Sequence, residues 1–239
     1  MFQAFILSAG LGTRLKPITN LKPKALVEVN DVSLLEHNIK KLISYSCNHI
    51  VINVHHFSEQ IIEHLHKKKY NCDIFISDEI QMLLDTGGAL KNAENLFDFS
   101  KDILIHNVDI ISKIDFNDFH SHHCSKNALA TLAVSQRETS RYLLFDNNNL
   151  LCGWKNIKTN ELIIVSENKN LLPFGFSGIQ FIRPELINLI ENEGSFQIIP
   201  EYLKLAKNYP IHNYIHSKDI WVDVGKIEKI KEAEQLLLN

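Results

Sequence analysis

Apolar runs alternate with amphipathic segments along the first half of this chain. The runs at 2–7, 49–54 and 73–77 predict strands, and the first two read as strands buried on both faces. Between them, apolar positions recur at helical spacing after Ser33, which opens a capping-box pattern, and again after Ser58, which is the expected cap of the second helix. The run at 25–29 is expected to be extended. This β-α-β-α-β order predicts parallel strands joined by right-handed crossovers, and therefore an α/β fold.

The second half of the chain has a different character. An asparagine-rich hairpin is predicted at 143–152, followed by a strand at 174–182 and a closing amphipathic helix at 226–238. No repeat or linker separates the halves. We interpret residues 1–239 as a single domain with two lobes, 1–140 and 141–239, and expect the functional site in the cleft between them.

Composition narrows the class of protein. The chain has 239 residues, is 45% hydrophobic and carries a formal net charge of −3, so it can bury a full core and offers no general basis for nucleic-acid binding. It contains neither a run of about 18 apolar residues nor a basic segment before the first apolar run. Its four cysteines are scattered without a C-x-x-C pair. We expect a cytoplasmic protein with no membrane or nucleic-acid partner.

The turn after the first strand is the most informative stretch. It contains Gly10 and Gly12, and four cations lie within eleven residues of one another: Arg14, Lys16, Lys22 and Lys24. Glycines let the backbone approach a ligand, and successive N–H groups in such a turn suit phosphate oxygens. The sequence therefore predicts a polyphosphate site at this turn.

Two common glycine motifs do not account for this turn. The Walker pattern is absent, which argues against a P-loop NTPase. Leu15 stands where a dinucleotide fingerprint has its third glycine, and no acid follows the second strand to hold a ribose. Pro17 also prevents a helix from starting directly after the turn.

The turn instead resembles the opening motif of the sugar-phosphate nucleotidyltransferases. Their G-x-G-T-R-L-x-P-L-T pattern is matched by GLGTRLKPIT at 10–19, and their P-K-P-L pattern by PKAL at 23–26. Residues 176–179 and 221–225 are similar to the family's F-S-G-I and W-x-D-[IV]-G segments. In order and spacing, the chain looks most like the short N-acetylmuramate 1-phosphate uridylyltransferases. The resemblance implies a Rossmann-like fold, with a mixed, mostly parallel central sheet flanked by helices.

The resemblance also implies roles for individual residues. Residues 1–140 become the nucleotide-binding lobe, and residues 141–239 the acceptor lobe that supplies the second metal ligand. The expected catalytic residues are Arg14 and Lys24. Arg14 would hold the departing pyrophosphate, and Lys24 would lie nearer the α-phosphate and the acceptor phosphate. Asp109 and Asp223 are the expected ligands of Mg²⁺. Nucleotide binding is expected at Ser8, Ala9, Gly10, Leu11, Gly12, Thr13, Thr86 and Gly87, and acceptor binding at Asn107, Gly153, Ser177 and Gly178.

Simpler explanations compete with several of these roles. Asp109 and Asp223 could each cap a turn or helix. The glycines after Thr86 could serve a helix N-terminus that needs small residues. The lysine of the glucose-1-phosphate enzymes' E-K-P motif is missing, so Arg141 or Lys155 becomes the candidate cation for the acceptor phosphate, although both could be ordinary surface cations.

A histidine-rich segment also raises the question of a metal. His120, His122, His123 and Cys124 lie within five residues, but only His120 and Cys124 have the i, i+4 spacing of a helical metal pair. The sequence favours a solvated helix face over a zinc site.

The expected function is transfer of a nucleotidyl group from a nucleoside triphosphate, with UTP favoured, to a sugar 1-phosphate. The alternatives are a heptose- or mannose-1-phosphate guanylyltransferase, a choline-phosphate cytidylyltransferase, and a nucleotide-binding regulator that has lost turnover. Val108 motivates the last of these, because it replaces the family's usual glycine and is expected to narrow the cleft. The sequence leaves the oligomeric state open.

Overall fold

The computed structural model describes residues 1–79, 81–168 and 170–237. Within them the strands are β1 (Gln3–Leu7), β2 (Glu28–Val29), β3 (Val32–Ser33), β4 (His49–Val54), β5 (Asp73–Asp78), β6 (Ile103–Asn107), β7 (Ile110–Ser112), β8 (Ala130–Ser135), β9 (Arg141–Phe145), β10 (Leu151–Asn156), β11 (Glu161–Ile164), β12 (Leu172–Ile182), β13 (Ile211–Ile215) and β14 (Trp221–Asp223). The helices are α1 (Leu34–Ser44), α2 (Ser58–His66), α3 (Asp85–Asn92), α4 (Phe116–Ser125), α5 (Glu185–Asn188), α6 (Ile198–Leu205) and α7 (Ile227–Leu237).

One mixed ten-stranded sheet organises the molecule. Its order is β11-β10-β9-β12-β6-β1-β4-β5, with β8 pairing to β12 and β13 pairing to β8. The strands β6, β1, β4 and β5 are mutually parallel, and β12 runs antiparallel to β6. The expected α/β class with a mixed central sheet flanked by helices is therefore confirmed. The division into lobes at residue 140 stays a prediction.

Strand β12 joins the two parts of the sheet. Its last residues pair with β6 and β8, while Leu172–Phe174 pair with β9. The register with β8 shifts between Phe176 and Gln180, and Gly178 lies within this irregularity at a φ of +74°. Because a positive φ favours glycine, Gly178 allows the irregularity in β12 at the point where the two parts of the sheet meet.

The core has two layers, one on each face of the sheet. Along β4, Ile50 and Ile52 pack into one cluster and Val51 packs into the other, all with no exposed surface. This two-sided burial explains why the strand reads as a continuous apolar run instead of an alternating one.

Most predicted elements are confirmed, and the corrections are local. Ser33 caps α1, because its side chain accepts a hydrogen bond from the Glu36 N–H at 3.2 Å. Ser58 is not a cap; α2 begins there, and Phe57 is the N-cap at a φ of +55°. The extended segment expected at 25–29 is wrong in its first half, since Lys24–Leu26 forms a 3₁₀ turn after Pro23.

The remaining differences concern short edge elements. Sequence reasoning missed β7 and β11, which are only three and four residues long. The predicted end of the last helix at residue 238 lies outside the described residues. Across the described parts of the chain, no helix has both the length and the apolar character needed to cross a membrane.

Gly88 provides a stability test of the close packing between α3 and Gly194. A Cβ at position 88 would overlap the carbonyl oxygen of Gly194, whereas a Cβ at Gly10 would meet no atom within 4 Å. We predict that Gly88→Ala lowers the free energy of unfolding by about 1–3 kcal/mol, because overpacking outweighs the roughly 1 kcal/mol gain in helix propensity. Gly10→Ala should unfold at the same urea concentration as the parent. Equal midpoints for the two variants would contradict the close approach of Gly194 to α3.

Candidate active site

The carboxyl ends of three neighbouring strands build the floor of the site. Leu7 at the end of β1 is paired with Asn53 of β4 on one side and with Asn107 of β6 on the other. Ligands of open α/β sheets bind at such carboxyl ends. The glycine turn and the first predicted metal ligand, Asp109, follow β1 and β6 directly.

Asn53 anchors the start of the glycine turn. Its side-chain oxygen accepts hydrogen bonds from the Ser8 N–H at 2.6 Å and the Ala9 N–H at 3.3 Å. Its amide donates to Glu79 Oε1 at 2.7 Å, and Glu79 Oε2 accepts from the Leu84 N–H at 3.0 Å. Sequence reasoning missed Asn53, although a polar residue near the end of a buried strand was a usable signal. Because Asn53 already uses the first two amides, the open part of the turn begins at Gly10.

The turn itself requires its second glycine. Gly12 has a φ of +62°, and a Cβ there would lie 2.9 Å from Lys24 Cβ and 3.0 Å from Thr19 Cγ2. The Thr19 hydroxyl donates to the Gly12 carbonyl at 2.9 Å. Gly10 and Thr13 are exposed. Thr19 and Lys24 therefore pack against one side of the turn, and its other side is exposed to solvent.

Two of the four predicted cations lie beside the predicted acids. The Lys24 ammonium forms an ion pair with Asp109, and both side chains are largely buried, at 14% and 10% exposure. Arg14 Nη2 lies 4.0 Å from Asp223 Oδ2 and is more exposed. Lys22 instead pairs with Glu28 at 3.6 Å, outside this group.

Backbone pairing brings the two acids together across 114 residues of sequence (223 minus 109). Strands β7 and β14 are antiparallel, with Asp223 opposite Ile110, and the Val224 N–H donates to the Asp109 carbonyl at 2.8 Å. Burial, followed by repulsion from the Asp109 carboxylate, raises the pKa of Asp223, while Arg14 opposes this shift. The two carboxylates are therefore close enough to repel each other, as the metal interpretation requires.

Asp223 also makes a local hydrogen bond, to the turn that precedes α7 and not to the helix itself. Its Oδ1 accepts a hydrogen bond from the Gly225 N–H at 2.8 Å. A Cβ at Gly225 would lie 3.0 Å from Arg14 Cζ, so glycine is needed for the approach of Arg14. The cap and the contact with Arg14 use different carboxylate oxygens, and the two roles are compatible.

This donor set fits a hard divalent cation. Magnesium prefers oxygen ligands and is commonly held by one or two carboxylates. A cation between Asp109 and Asp223 would relieve the repulsion that raises the pKa of Asp223. The two acids are thus the residues that could hold such an ion.

Val108 does not have the effect expected from the sequence. Its side chain is 2% exposed and belongs to the hydrophobic core, and its carbonyl accepts from Asn38 Nδ2 at 2.8 Å. The expectation that Val108 narrows the cleft is therefore wrong, because the side chain is directed into the core.

The predicted acceptor residues fall into two groups. Asn107 Nδ2 lies 2.8 Å from where a Cβ of Gly178 would be, so these two residues are adjacent. Ser177 is fully buried, its hydroxyl lies 2.6 Å from His216 Nε2, and its carbonyl accepts from Trp221 Nε1 at 2.8 Å. Gly153 lies apart from them in β10, where its neighbours are residues of β11.

Close packing explains the glycines after Thr86. The Gly87 and Gly88 amides donate to the Phe196 carbonyl at 2.9 and 3.2 Å, and Thr86 Oγ1 accepts from the Ile198 N–H at 3.0 Å. A Cβ on Gly87 would overlap the Phe196 ring. These contacts support the simpler explanation for the glycines, and a nucleotide-binding role for Thr86 and Gly87 stays a prediction.

Sequence reasoning missed Arg137. Its Nη2 donates to the Phe176 carbonyl at 2.7 Å, and its guanidinium lies 4.6 Å from the centre of the Trp221 ring. Its Nε is buried without a hydrogen-bond partner, and its charge interacts with Asp223. No local pattern distinguished it from Arg141, which is exposed, or from Lys155, whose ammonium lies 5.2 Å from the centre of the Tyr142 ring.

Comparison with known proteins bears on the identity of this chain. The nucleotidyl transferase family model matches residues 3–145. The N-acetylmuramate alpha-1-phosphate uridylyltransferase of Caulobacter vibrioides is 28% identical over 98% of this chain and 96% of its own length. A putative mannose-1-phosphate guanyltransferase of Sulfolobus acidocaldarius is also 28% identical, over 94% of this chain, which spans only 60% of that longer protein.

A solved structure shares the fold. A putative glucose-1-phosphate thymidylyltransferase from Bacillus anthracis superposes with a TM-score of 0.81 at 17% identity, covering 99% of this chain and 95% of that one. Divalent metal binding is typical of these enzymes. The family model covers more than half of the chain. The chain therefore belongs to the nucleotidyl transferase family and is a sugar-1-phosphate nucleotidyltransferase.

Proposed function

We propose that this enzyme transfers a uridylyl group from UTP to a sugar 1-phosphate, with Mg²⁺ as its metal, giving a UDP-sugar and pyrophosphate. An oxygen of the acceptor phosphate forms a bond to the α-phosphorus, and the bond from that phosphorus to the leaving pyrophosphate breaks. The observation that carries the proposal is the meeting of Asp109, Asp223, Lys24 and Arg14 beside the open glycine turn.

Positioning and charge neutralisation account for most of the proposed catalysis, because both substrates are polyanions. The exposed backbone from Gly10 to Thr13 binds the triphosphate, and Arg14 binds the departing pyrophosphate. Lys24 serves the α-phosphate and the incoming acceptor. Mg²⁺ held by Asp109 and Asp223 would neutralise charge on the phosphate oxygens.

The match over nearly the whole length of a uridylyltransferase favours UTP, and N-acetylmuramate 1-phosphate is the first acceptor to test. GTP with mannose 1-phosphate is the second candidate, because the guanyltransferase relative is equally similar. Choline phosphate as acceptor has less support, since it requires an aromatic cage, yet Arg137 already covers the Trp221 ring. The regulator hypothesis depended on Val108, which lies in the core.

A cytoplasmic location is part of the proposal. All four cysteines are free thiols, which is their usual state in a reducing compartment.

The direct test is pyrophosphate release from a panel of nucleoside triphosphates and sugar 1-phosphates with Mg²⁺. We expect the highest kcat/KM with UTP. Preference for GTP and mannose 1-phosphate would replace the uridylyl assignment, and nucleotide binding without release from any pair would establish the regulator.

The metal role predicts a specific result for Asp223→Asn. Asparagine keeps the oxygen that accepts from Gly225 but loses the charge, so the turn should persist while Mg²⁺ binding fails. We expect kcat to fall by about 10²–10³ and the melting temperature to change little. The matched control is Glu228→Gln, an exposed acid in the first turn of α7, which should leave kcat unchanged. A large loss of stability with normal kcat would indicate that Asp223 is only a cap.

The glycine-turn cations predict a second contrast. Arg14→Ala should lower kcat by about 10²–10³ without loss of stability, because the side chain is exposed and makes one long ion pair. Lys22→Ala, in the same loop but paired with Glu28, should retain parental kinetics. Steady-state assays of the parent and of both variants check this contrast. If Arg14→Ala had the same kcat as the parent and Lys22→Ala, Arg14 would have no role in the mechanism.

Arg137 is our proposed cation for the acceptor phosphate, since its unpartnered Nε and its interaction with Asp223 place a charge beside the acids. Arg137→Gln should raise the KM for the sugar 1-phosphate at least about tenfold, with a smaller change in the KM for UTP. Lys155→Gln is the matched control and tests the cation suggested by the sequence. A selective rise in KM for Lys155→Gln, with none for Arg137→Gln, would reverse the assignment.

A further inference from the structure

A second group of possible metal ligands lies at the other end of β6. Among the residues that the structure describes, Asp102, His120 and Cys124 place one ligand atom each within 4.8 Å of one another. Asp102 immediately precedes β6, whereas Asp109 follows it, so the length of a five-residue strand, about 17 Å, separates this group from the active site. The two groups therefore lie at opposite edges of the sheet.

Two of the three distances within this group are close to those of a tetrahedral site. Cys124 Sγ lies 3.6 Å from His120 Nε2 and 3.7 Å from Asp102 Oδ2. Zinc bonds of about 2.0–2.3 Å at tetrahedral angles set ligand atoms roughly 3.3–3.6 Å apart. The shorter contact, 2.8 Å between His120 Nε2 and Asp102 Oδ2, is a hydrogen bond whose proton a metal would replace.

His123, which lies beside this group, adds an independent observation. Its side chain is 1% exposed, and its Nε2 is buried without a hydrogen-bond partner, 3.9 Å from Asp102 Oδ1. Its other nitrogen, Nδ1, lies 2.7 Å from Thr131 Oγ1, which fixes the ring orientation. Metal-binding histidines usually have such a partner on the second nitrogen. The unpaired Nε2 is therefore held toward Asp102 by the fold.

A catalytic thiol is the main competing role for these residue types, and the geometry does not support it. His120 faces both Asp102 and Cys124 with the same nitrogen, Nε2, whereas a triad needs a different nitrogen for each partner. Burial and the Asp102 carboxylate also raise the pKa of the Cys124 thiol, which disfavours a free thiolate nucleophile. A ligand set of one sulfur, two nitrogens and one oxygen instead suits zinc.

We propose that Asp102, His120, His123 and Cys124 form a structural zinc site that joins helix α4 to the start of strand β6. Zinc displaces the Cys124 thiol proton and the His120 Nε2 proton, which pass to solvent or to the other ring nitrogen. The site closes a four-ligand shell with no open position for a substrate. The inference is independent of the nucleotidyl transfer reaction and of its magnesium ion.

The test measures zinc and cobalt binding to the full chain after dialysis against chelator. The Asp223→Asn background is used so that the active-site acids do not contribute a second site. We expect one zinc per chain, a higher melting temperature with zinc, and a Co²⁺ complex with a thiolate charge-transfer band and tetrahedral ligand-field bands. Zinc binding stabilises the native state because the unfolded chain lacks the assembled site.

Matched variants distinguish zinc binding at this cluster from zinc binding elsewhere on the chain. Cys124→Ser and His120→Gln should weaken zinc at least about tenfold and remove the melting shift, and Cys124→Ser should also remove the charge-transfer band. Cys72→Ser and His66→Gln, which change the same residue types elsewhere, should behave as the parent. In the chain with Asp223 intact, Cys124→Ser should keep parental turnover with Mg²⁺. No zinc in the parent, or equal affinity in Cys124→Ser, would overturn the proposal.

Discussion

The active site depends on holding two carboxylates close together without unfolding the chain around them. The β7–β14 pairing fixes the backbones of Asp109 and Asp223, so moving these backbones apart to relieve the repulsion would break the pairing. The buried Lys24 ion pair and the nearby Arg14 offset part of that repulsion. The remaining effect is the raised pKa of Asp223. A site arranged in this way favours any ligand that brings positive charge, which is what transfer between polyanions requires.

Trp221, two residues before Asp223, connects several parts of this arrangement. Its Nε1 donates to the Ser177 carbonyl, which attaches β14 to β12 at the point where β12 is irregular. Gly178, at positive φ, lets β12 pass close to Asn107 there. Arg137 then covers the exposed face of the same indole. One side chain thus connects the strand that carries Asp223, the irregular part of β12, and the half-buried guanidinium of Arg137.

The sequence predicted the features that local pattern determines. The parallel strands follow from apolar runs, and the phosphate turn and its cations follow from consecutive residues. The features that it missed depend on residues far apart in the chain: Asn53 on the Ser8 amide, Arg137 on Trp221, and Asp102 beside His123. The 3₁₀ turn at Lys24–Leu26 was missed for a related reason. The mostly apolar run at 25–29 suits a strand, but Lys24 packs against Gly12, twelve residues earlier in the chain.

Strand β6 separates two donor sets of different chemistry. Its carboxyl edge leads to the carboxylates of Asp109 and Asp223, which suit a hard ion that retains water for exchange with phosphate oxygens. Its amino edge meets two imidazoles, a thiol and one carboxylate, a set that favours a softer ion in a closed shell. Magnesium gains little at the sulfur and nitrogen donors. A closed zinc shell also leaves no position for a triphosphate. The ligand types, more than the distance between the clusters, thereby assign catalysis to one edge and structural support to the other.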